Sequence, residues 1–184
     1  MGTAAPDSQP WRGMNHAAWD SLPPTARTPA EVRDIIVVQH ERIRALLQRL
    51  ERRAARLLAT QMPGTREREA TRRSALALCG VMAWHIEAEN RLLLPLLELA
   101  DPLRAAHLRA DHEEQLLALR AYTVALEHPA GSAATLALIA WQLVDVIAED
   151  MQQEEASVLN AAPMCDEASL RDDPADLLLE DGLE

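Results

Sequence analysis

Apolar residues recur at three- and four-residue steps along four stretches of the chain, which is the spacing of amphipathic helices. The first stretch begins at the capping box Thr28-Pro29-Ala30-Glu31 and fades near Gln61, before the turn Met62-Pro63-Gly64. The apolar stripes are, in chain order, Val32, Ile36, Val37, Ile43, Leu46, Leu47 and Leu50; Leu78, Val81, Met82, Leu92, Leu93 and Leu96; Leu108, Leu116 and Leu119; and Leu136, Ile139, Leu143 and Ile147. Strand-like alternation is not visible, so the pattern predicts an all-α fold.

The breaks between the stripes are short. The second helix follows Thr65, and Pro95 is expected to kink it near its end. Asp101-Pro102 supplies the cap and first residue of a third helix, and the segment 129–132 (Pro-Ala-Gly-Ser) ends it. A fourth helix is predicted over 133–160. Four long helices with short connections predict an up-down-up-down four-helix bundle.

Composition divides the chain into one domain and two flanking segments. Residues 1–27 show no sustained period and are predicted to be a flexible leader, residues 28–162 form the bundle, and residues 163–184 are an acidic tail. The apolar share of 48% is enough for a buried core. All 18 basic residues are arginine, which we interpret as the codon bias of a GC-rich genome.

Charge and apolar runs limit the classes of partner. The net charge of −11 argues against a general nucleic-acid binder. The longest apolar run, 75–84, falls short of the roughly 20 residues that a membrane span needs. With no visible secretory signal and only two cysteines, Cys79 and Cys165, we expect a soluble cytoplasmic protein. The sequence does not indicate whether the protein binds a protein partner or forms an oligomer.

Polar side chains interrupt the apolar stripes at positions that face inward. They are three histidines and three carboxylates: His40, His85, Glu89, His112, Asp150 and Glu154. Burying an ionised carboxylate costs several kcal/mol unless it is paired or coordinated. Counted from the turns at about 1.5 Å per residue, all of them come within a turn or two of one layer of the predicted bundle.

These groups together predict a metal site, because imidazole and carboxylate suit iron, manganese or zinc. Each residue alone has a simpler interpretation, since an inward histidine is commonly a hydrogen-bonded core residue and a carboxylate commonly belongs to an ion pair. Neither the Glu-x-x-His pairs of ferritin-type sites nor the zinc-protease motif His-Glu-x-x-His is present. Convergence on four helices at one level favours the metal.

The segments around these residues resemble, in this order, the hemerythrin-like (HHE) cation-binding domain family. The segments are Gln39-His40-Glu41-Arg42, His85-Ile86-Glu87-Ala88-Glu89, Ala110-Asp111-His112-Glu113 and Glu149-Asp150-Met151-Gln152-Gln153-Glu154-Glu155. The resemblance spans about residues 29–162, and the ordered set is specific where each segment alone is not.

The resemblance implies a hemerythrin-like bundle with a non-haem, carboxylate-bridged centre of two iron ions. Its implied bridges are Glu89 and Glu154, and its implied terminal ligands are His40, His85 and His112.

The chain departs from the family pattern at Asp150, where the family has its last histidine. The site could survive as a three-His, three-carboxylate centre, hold a single metal, or have decayed. Leu108 stands where oxygen-carrying hemerythrins have a further histidine, so oxygen transport is not our first choice. His107, about 100° away from Leu108 on the helix, is predicted to lie on the surface.

Three functional hypotheses follow. The first is a di-iron protein that binds O₂, NO or peroxide for sensing, storage or detoxification, as the resemblance implies. The second is a peroxide-decomposing, catalase-like enzyme with the same centre. The third is a metal-free helical interaction domain that uses the acidic tail or the arginine-rich end of the first helix. Whether the protein is an enzyme stays open at this point.

Overall fold

The computed structural model describes residues 28–128 and 131–160, and these residues are helical without any strand among them. The α-helices are α1 (Pro29–Ala59), α2 (Thr65–Leu92), α3 (Leu94–Ala100), α4 (Pro102–Glu127) and α5 (Ala133–Glu154). A π-helical turn, Glu155–Leu159, continues α5. The leader 1–27, the tail 163–184 and the first two residues of the break at 129–132 lie outside the described residues.

Local capping chemistry sets the helix starts where the sequence predicts them. The Thr28 hydroxyl accepts the Glu31 N–H at 3.2 Å, and Glu31 Oε2 accepts the Thr28 N–H at 2.9 Å, which confirms the capping box. Asp101 accepts the Arg104 N–H at 3.1 Å at the start of α4. These bonds satisfy N–H groups that would otherwise have no partner in the first turn.

Two segments differ from the prediction. The second predicted helix is divided rather than kinked, since α2 ends at Leu92 and α3 begins at Leu94 with Pro95 in its first turn. Proline has no N–H to donate, so the backbone ladder stops there. At the other end of the chain, the Asn160 N–H bonds to the Glu155 carbonyl at 3.2 Å, a wider turn than the α-helix predicted up to residue 160.

A polar layer separates two apolar clusters of the core. The larger cluster includes Ile43 and Ile86, and the smaller one includes Ile36 and Leu93. On each long helix the inward histidines and carboxylates lie at or next to the boundary between these clusters. Helix α1 packs against α2 and α5, and α2 packs against α4, so four long helices surround the layer.

Two further features of the fold are the surroundings of Cys79 and the apolar length of the helices. Cys79 is buried in the larger cluster, and burial raises the pKa of its thiol to about 11. A buried, protonated thiol packs as a small apolar side chain. Among the described helices, none has a stretch long and apolar enough to cross a bilayer.

Candidate metal centre

Four buried side chains from three helices converge on one point in the polar layer. They are His40 on α1, His85 and Glu89 on α2, and Glu154 at the end of α5. Each offers a nitrogen or oxygen atom, and these atoms all lie within 4.8 Å of one another. His85 and Glu89 are one helical turn apart, so the same face of α2 carries both.

The short distances in this group involve the Nε2 atoms of the imidazoles. His85 Nε2 lies 2.8 Å from Glu89 Oε1 and 3.0 Å from His40 Nε2. His40 Nε2 lies 3.4 Å from Glu154 Oε2. We refer to His40 and His85, with the carboxylate oxygens that face them, as the His40 half of the site.

The other two predicted residues lie on the opposite side of Glu89. His112 on α4 is buried, and its Nε2 atom lies 3.2 Å from Glu89 Oε2, the second oxygen of that carboxylate. Asp150 on α5 is partly buried and accepts a short hydrogen bond from the Gln115 amide. We refer to His112, Asp150 and Gln115 as the Asp150 half.

Orphaned oxygens show that the donor set fits a cation. Glu89 Oε1 and Glu154 Oε1 are buried without a hydrogen-bond partner. An unpaired carboxylate oxygen in a protein interior is costly, and a metal ion would satisfy it. Borderline metals such as iron, manganese and zinc take imidazole together with carboxylate. The residues of the His40 half therefore fit a metal ion.

Each histidine is oriented by a second residue through its other ring nitrogen. His85 Nδ1 lies 2.7 Å from Gln39 Oε1, and His112 Nδ1 lies 2.7 Å from Asn90 Oδ1. An Nδ1–H that donates to such an oxygen leaves the Nε2 lone pair free to face the centre. Gln39 and Asn90 thus hold the imidazoles in the tautomer that a metal needs.

The orienting residue of His40 is a carboxylate rather than an amide. His40 Nδ1 lies 2.7 Å from Glu155 Oε1, and Arg44 Nη2 lies 2.7 and 2.6 Å from the two Glu155 oxygens. Burial raises the pKa of Glu155, but the hydrogen bonds from Arg44 and His40 outweigh it, so the pKa lies below its ordinary value. The π-helical turn begins at this residue.

Sequence reasoning missed these orienting residues, although a signal for them exists. Gln39 precedes His40, Asn90 follows Glu89, and Glu155 follows Glu154. Each is a polar neighbour of one inward residue and bonds to a histidine on a different helix. A polar residue next to a predicted ligand, on the same edge of a buried stripe, is the pattern that could have found them.

The metal-free site holds protons that a cation would replace. Burial lowers the pKa of His40, but the carboxylates of Glu154 and Glu89 reverse this and raise it to about 10. Burial, followed by the charge of Glu89, raises the pKa of Glu154 well above its ordinary value. Both shifts favour the protonated form of the group and so oppose the accumulation of negative charge at the centre.

The pKa of Glu89 is shifted downward, whereas the pKa of Asp150, like that of Glu154, is shifted upward. Burial raises the pKa of Glu89, but the charge of His85 and a hydrogen bond from His112 bring it well below its ordinary value. Burial, followed by the charge of Glu89, raises the pKa of Asp150 to about 6. Glu89 therefore keeps its negative charge to lower pH than an ordinary glutamate. His40, Asp150 and Glu154 keep their protons to higher pH than usual.

A cavity of about 360 Å³ lies between α4 and the end of α5. His112, Asp150 and Glu154 line it together with polar residues that include Gln115 and Ser157. The cavity therefore reaches His112 and Asp150 of the Asp150 half and, in addition, Glu154, whereas His40 and His85 do not line it. His107 also lines it and is exposed, which agrees with its predicted surface position.

The geometry defines a class of protein: a helical domain with a buried cluster of imidazoles and carboxylates able to hold a metal ion. The family model of the hemerythrin HHE cation-binding domain matches residues 31–162 of the chain. The protein belongs to this family, as its sequence motifs indicate. No curated protein sequence and no solved structure gives a significant match to the chain.

Proposed function

We propose that this chain folds as an up-down-up-down four-helix bundle around a non-haem di-iron centre that binds O₂, NO or peroxide. The observation that carries the proposal is the convergence of His40, His85, Glu89 and Glu154, with buried carboxylate oxygens that lack any other partner. Membership of the hemerythrin family supports iron as the metal.

The two oxygens of Glu89 support its role as a bridge. Oε1 lies 2.8 Å from His85 Nε2, and Oε2 lies 3.2 Å from His112 Nε2. One carboxylate thus faces an imidazole from each half of the site. In the proposal, His40 and His85 hold one iron, and His112 and Asp150 hold the other. Glu154 is the second bridge.

The Asp150 half is the proposed place of ligand binding. The cavity between α4 and α5 reaches Asp150 and His112, so small molecules have access there without opening the core. Iron with an open coordination position supplies reversible binding of small ligands and electron transfer to them. The protein's part is to orient the histidines, supply the bridging carboxylate and limit access to this side.

The polar lining of the cavity favours peroxide breakdown as a second candidate function. Gln115, Ser157 and Asp150 offer hydrogen-bonding groups along the cavity. Peroxide and water are polar molecules that such a lining would admit.

The deciding experiment combines metal analysis with a spectroscopic titration. The protein is expressed with ample iron, purified without chelator and analysed for metals. About two irons per chain are expected, with new visible absorption when azide or peroxide is added to the ferric protein. About one iron would indicate that the Asp150 half is empty. A folded, metal-free protein would support the interaction-domain hypothesis instead.

Turnover separates the two candidate functions. A peroxide-decomposing enzyme releases oxygen from peroxide continuously, and His85→Ala should abolish this because His85 belongs to the His40 half. A binding protein shows the spectral change and no sustained oxygen release. A matched control is His107→Ala, which changes an exposed cavity residue that has no place among the proposed ligands.

A further inference from the structure

A second cavity, lined by arginine, lies between α1 and α2 near the turn that joins them. Its volume is about 340 Å³. Arg53 and Arg56 line it from α1, and Arg66 lines it from the first turn of α2. Buried Leu57 and Thr71 contribute further walls. The cavity shares no lining residue with the proposed metal centre.

The arginines of this cavity lack the acidic partners that neighbouring arginines have. On the next turns of α2, Glu69 pairs with Arg72 and Arg73. Among the described residues, no ion pair within 4.0 Å involves Arg53, Arg56 or Arg66. The one acid in the lining, Glu67, accepts the Gly64 N–H and so caps α2.

Among the lining residues of this cavity, one buried guanidinium nitrogen has no hydrogen-bond partner. Arg53 Nε is buried and has no hydrogen bond. Arg56 Nε donates to the Arg52 carbonyl at 3.2 Å, which leaves its terminal N–H groups for another acceptor. A buried donor without an acceptor is unfavourable, so the cavity has an unmet demand for oxygen atoms.

The charge of the surrounding segment adds to this demand. Residues 42–73 contain ten arginines and three acidic residues, in a chain whose net charge is −11. The arginines are therefore concentrated on the parts of α1 and α2 that lead to and from the turn at 60–64, in a protein of negative net charge. A small anion would be attracted there although the whole molecule repels it.

We propose that this cavity binds a small molecule with phosphoryl groups. Phosphoryl oxygens match several guanidinium forks at once and carry enough charge to balance three arginines. A single carboxylate engages one fork. The volume is larger than one phosphate needs, and Leu57 and Ala70 can accept an apolar part of a phosphate ester.

The test is a calorimetric titration of the full-length, metal-loaded protein with inorganic pyrophosphate at low salt. We expect one binding event per chain that Arg66→Gln weakens by at least about tenfold, because a charge-assisted contact is lost. Arg53→Gln should have a similar effect. The matched control is Arg52→Gln, which removes the same charge from an exposed residue outside the cavity and should change affinity by less than about twofold.

Three results would overturn the proposal. Equal weakening by Arg52→Gln and Arg66→Gln would show attraction to net charge without a site. Absence of binding at millimolar pyrophosphate would show that no site exists. Equal binding of tricarballylate would show a preference for carboxylates, which the acidic segment 161–184 could also supply. If pyrophosphate removed iron from the metal centre instead of binding in this cavity, the heat of that reaction would be the same in the arginine variants and in wild type.

Discussion

The two halves of the candidate metal centre differ in how completely the protein encloses them. In the His40 half, His40 and His85 are both buried. The Glu155 carboxylate bonds to the Nδ1 atom of His40, and Arg44 bonds to Glu155 in turn. In the Asp150 half, Asp150 is only partly buried and lines a cavity of about 360 Å³. The departure from the family pattern thus occurs on the open side.

This difference indicates that the two halves of the site have different roles. The imidazoles of the closed half are held in place, since His40 Nδ1 and His85 Nδ1 each lie 2.7 Å from an orienting oxygen and neither residue lines the cavity. The open half contains Asp150, the proposed ligand with the shorter side chain, and borders the cavity. We therefore expect the metal of the His40 half to be held more tightly, and exchange of ligands to take place in the Asp150 half.

The largest effect is expected for Glu89→Gln, which removes the charge that both halves share. Since the two Glu89 oxygens face His85 and His112, this one substitution alters a donor group of both halves at once. Metal content should fall from about two ions per chain to nearly none. The melting temperature of the iron-loaded protein should fall by about 10 °C, because bound metal stabilises only the native state.

The comparison is made with both proteins stripped of metal as a control. The metal-free forms show how much of the loss comes from the charge that Glu89 presents to His40, and the further loss in the iron-loaded forms is the contribution of the ion. Retention of two metals by Glu89→Gln would refute the bridging role and, with it, the division of the site into two halves.

A second substitution separates the halves. Asp150→Ala should reduce the metal content from about two ions to about one, because the His40 half keeps all of its donors. Elemental analysis measures the content, and azide binding should disappear with the second metal. Asp150→His, which restores the histidine of the family pattern, should keep two metals. Equal loss of both metals in Asp150→Ala would contradict the independence of the His40 half.

Part of this site and most of the fold could be predicted from the sequence, for a local reason. The starts of α1, α4 and α5 depend on caps within three residues, such as Thr28 with Glu31, and these are visible in the chain. The inward positions of His40, His85, Glu89 and Glu154 follow from helical period alone, and the structure brings them together.

What the sequence could not predict depends on contacts between helices. The π-helical turn has no sequence signature, and it coincides with the bonds of Glu155 to His40 and Arg44, more than 100 residues away in the chain. Likewise, the hydrogen bond from Gln115 to Asp150 joins α4 to α5. Such contacts exist only after the helices pack.

A pH titration tests the charge balance of the metal-free site. The folded-state pKa of His40 is raised from 6.5 to about 10, so this group stabilises the fold fully below pH 6.5 and loses that effect as pH rises toward 10. The free energy of unfolding should therefore fall between pH 7.5 and 9 by up to about 1.4 kcal/mol per pH unit.

Denaturant unfolding of metal-free protein at pH 7.5 and 9 measures this slope. His40→Gln should flatten it, and metal-loaded protein should not show it, because a ligated His40 has released its proton. Stopping at pH 9 limits the contribution of the Cys79 thiol, whose pKa burial raises to about 11. A steep slope that persists in His40→Gln would assign the titration to another group.

The smallest effect is expected for Glu155→Gln, which keeps the hydrogen bond to His40 but removes the charge behind it. Substitution of an outer residue of this kind lowers metal affinity by about tenfold or more. The matched control is Glu149→Gln, since Glu149 is exposed on α5 and bonds only to Gln153. Competition with a chelator measures both variants.

Because Glu155 bonds to His40 and not to His112, only the tighter of the two metals should be released earlier than in wild type. Earlier release of the weaker metal instead would reverse the comparison, and would make the Asp150 half the one that the Glu155–Arg44 pair controls.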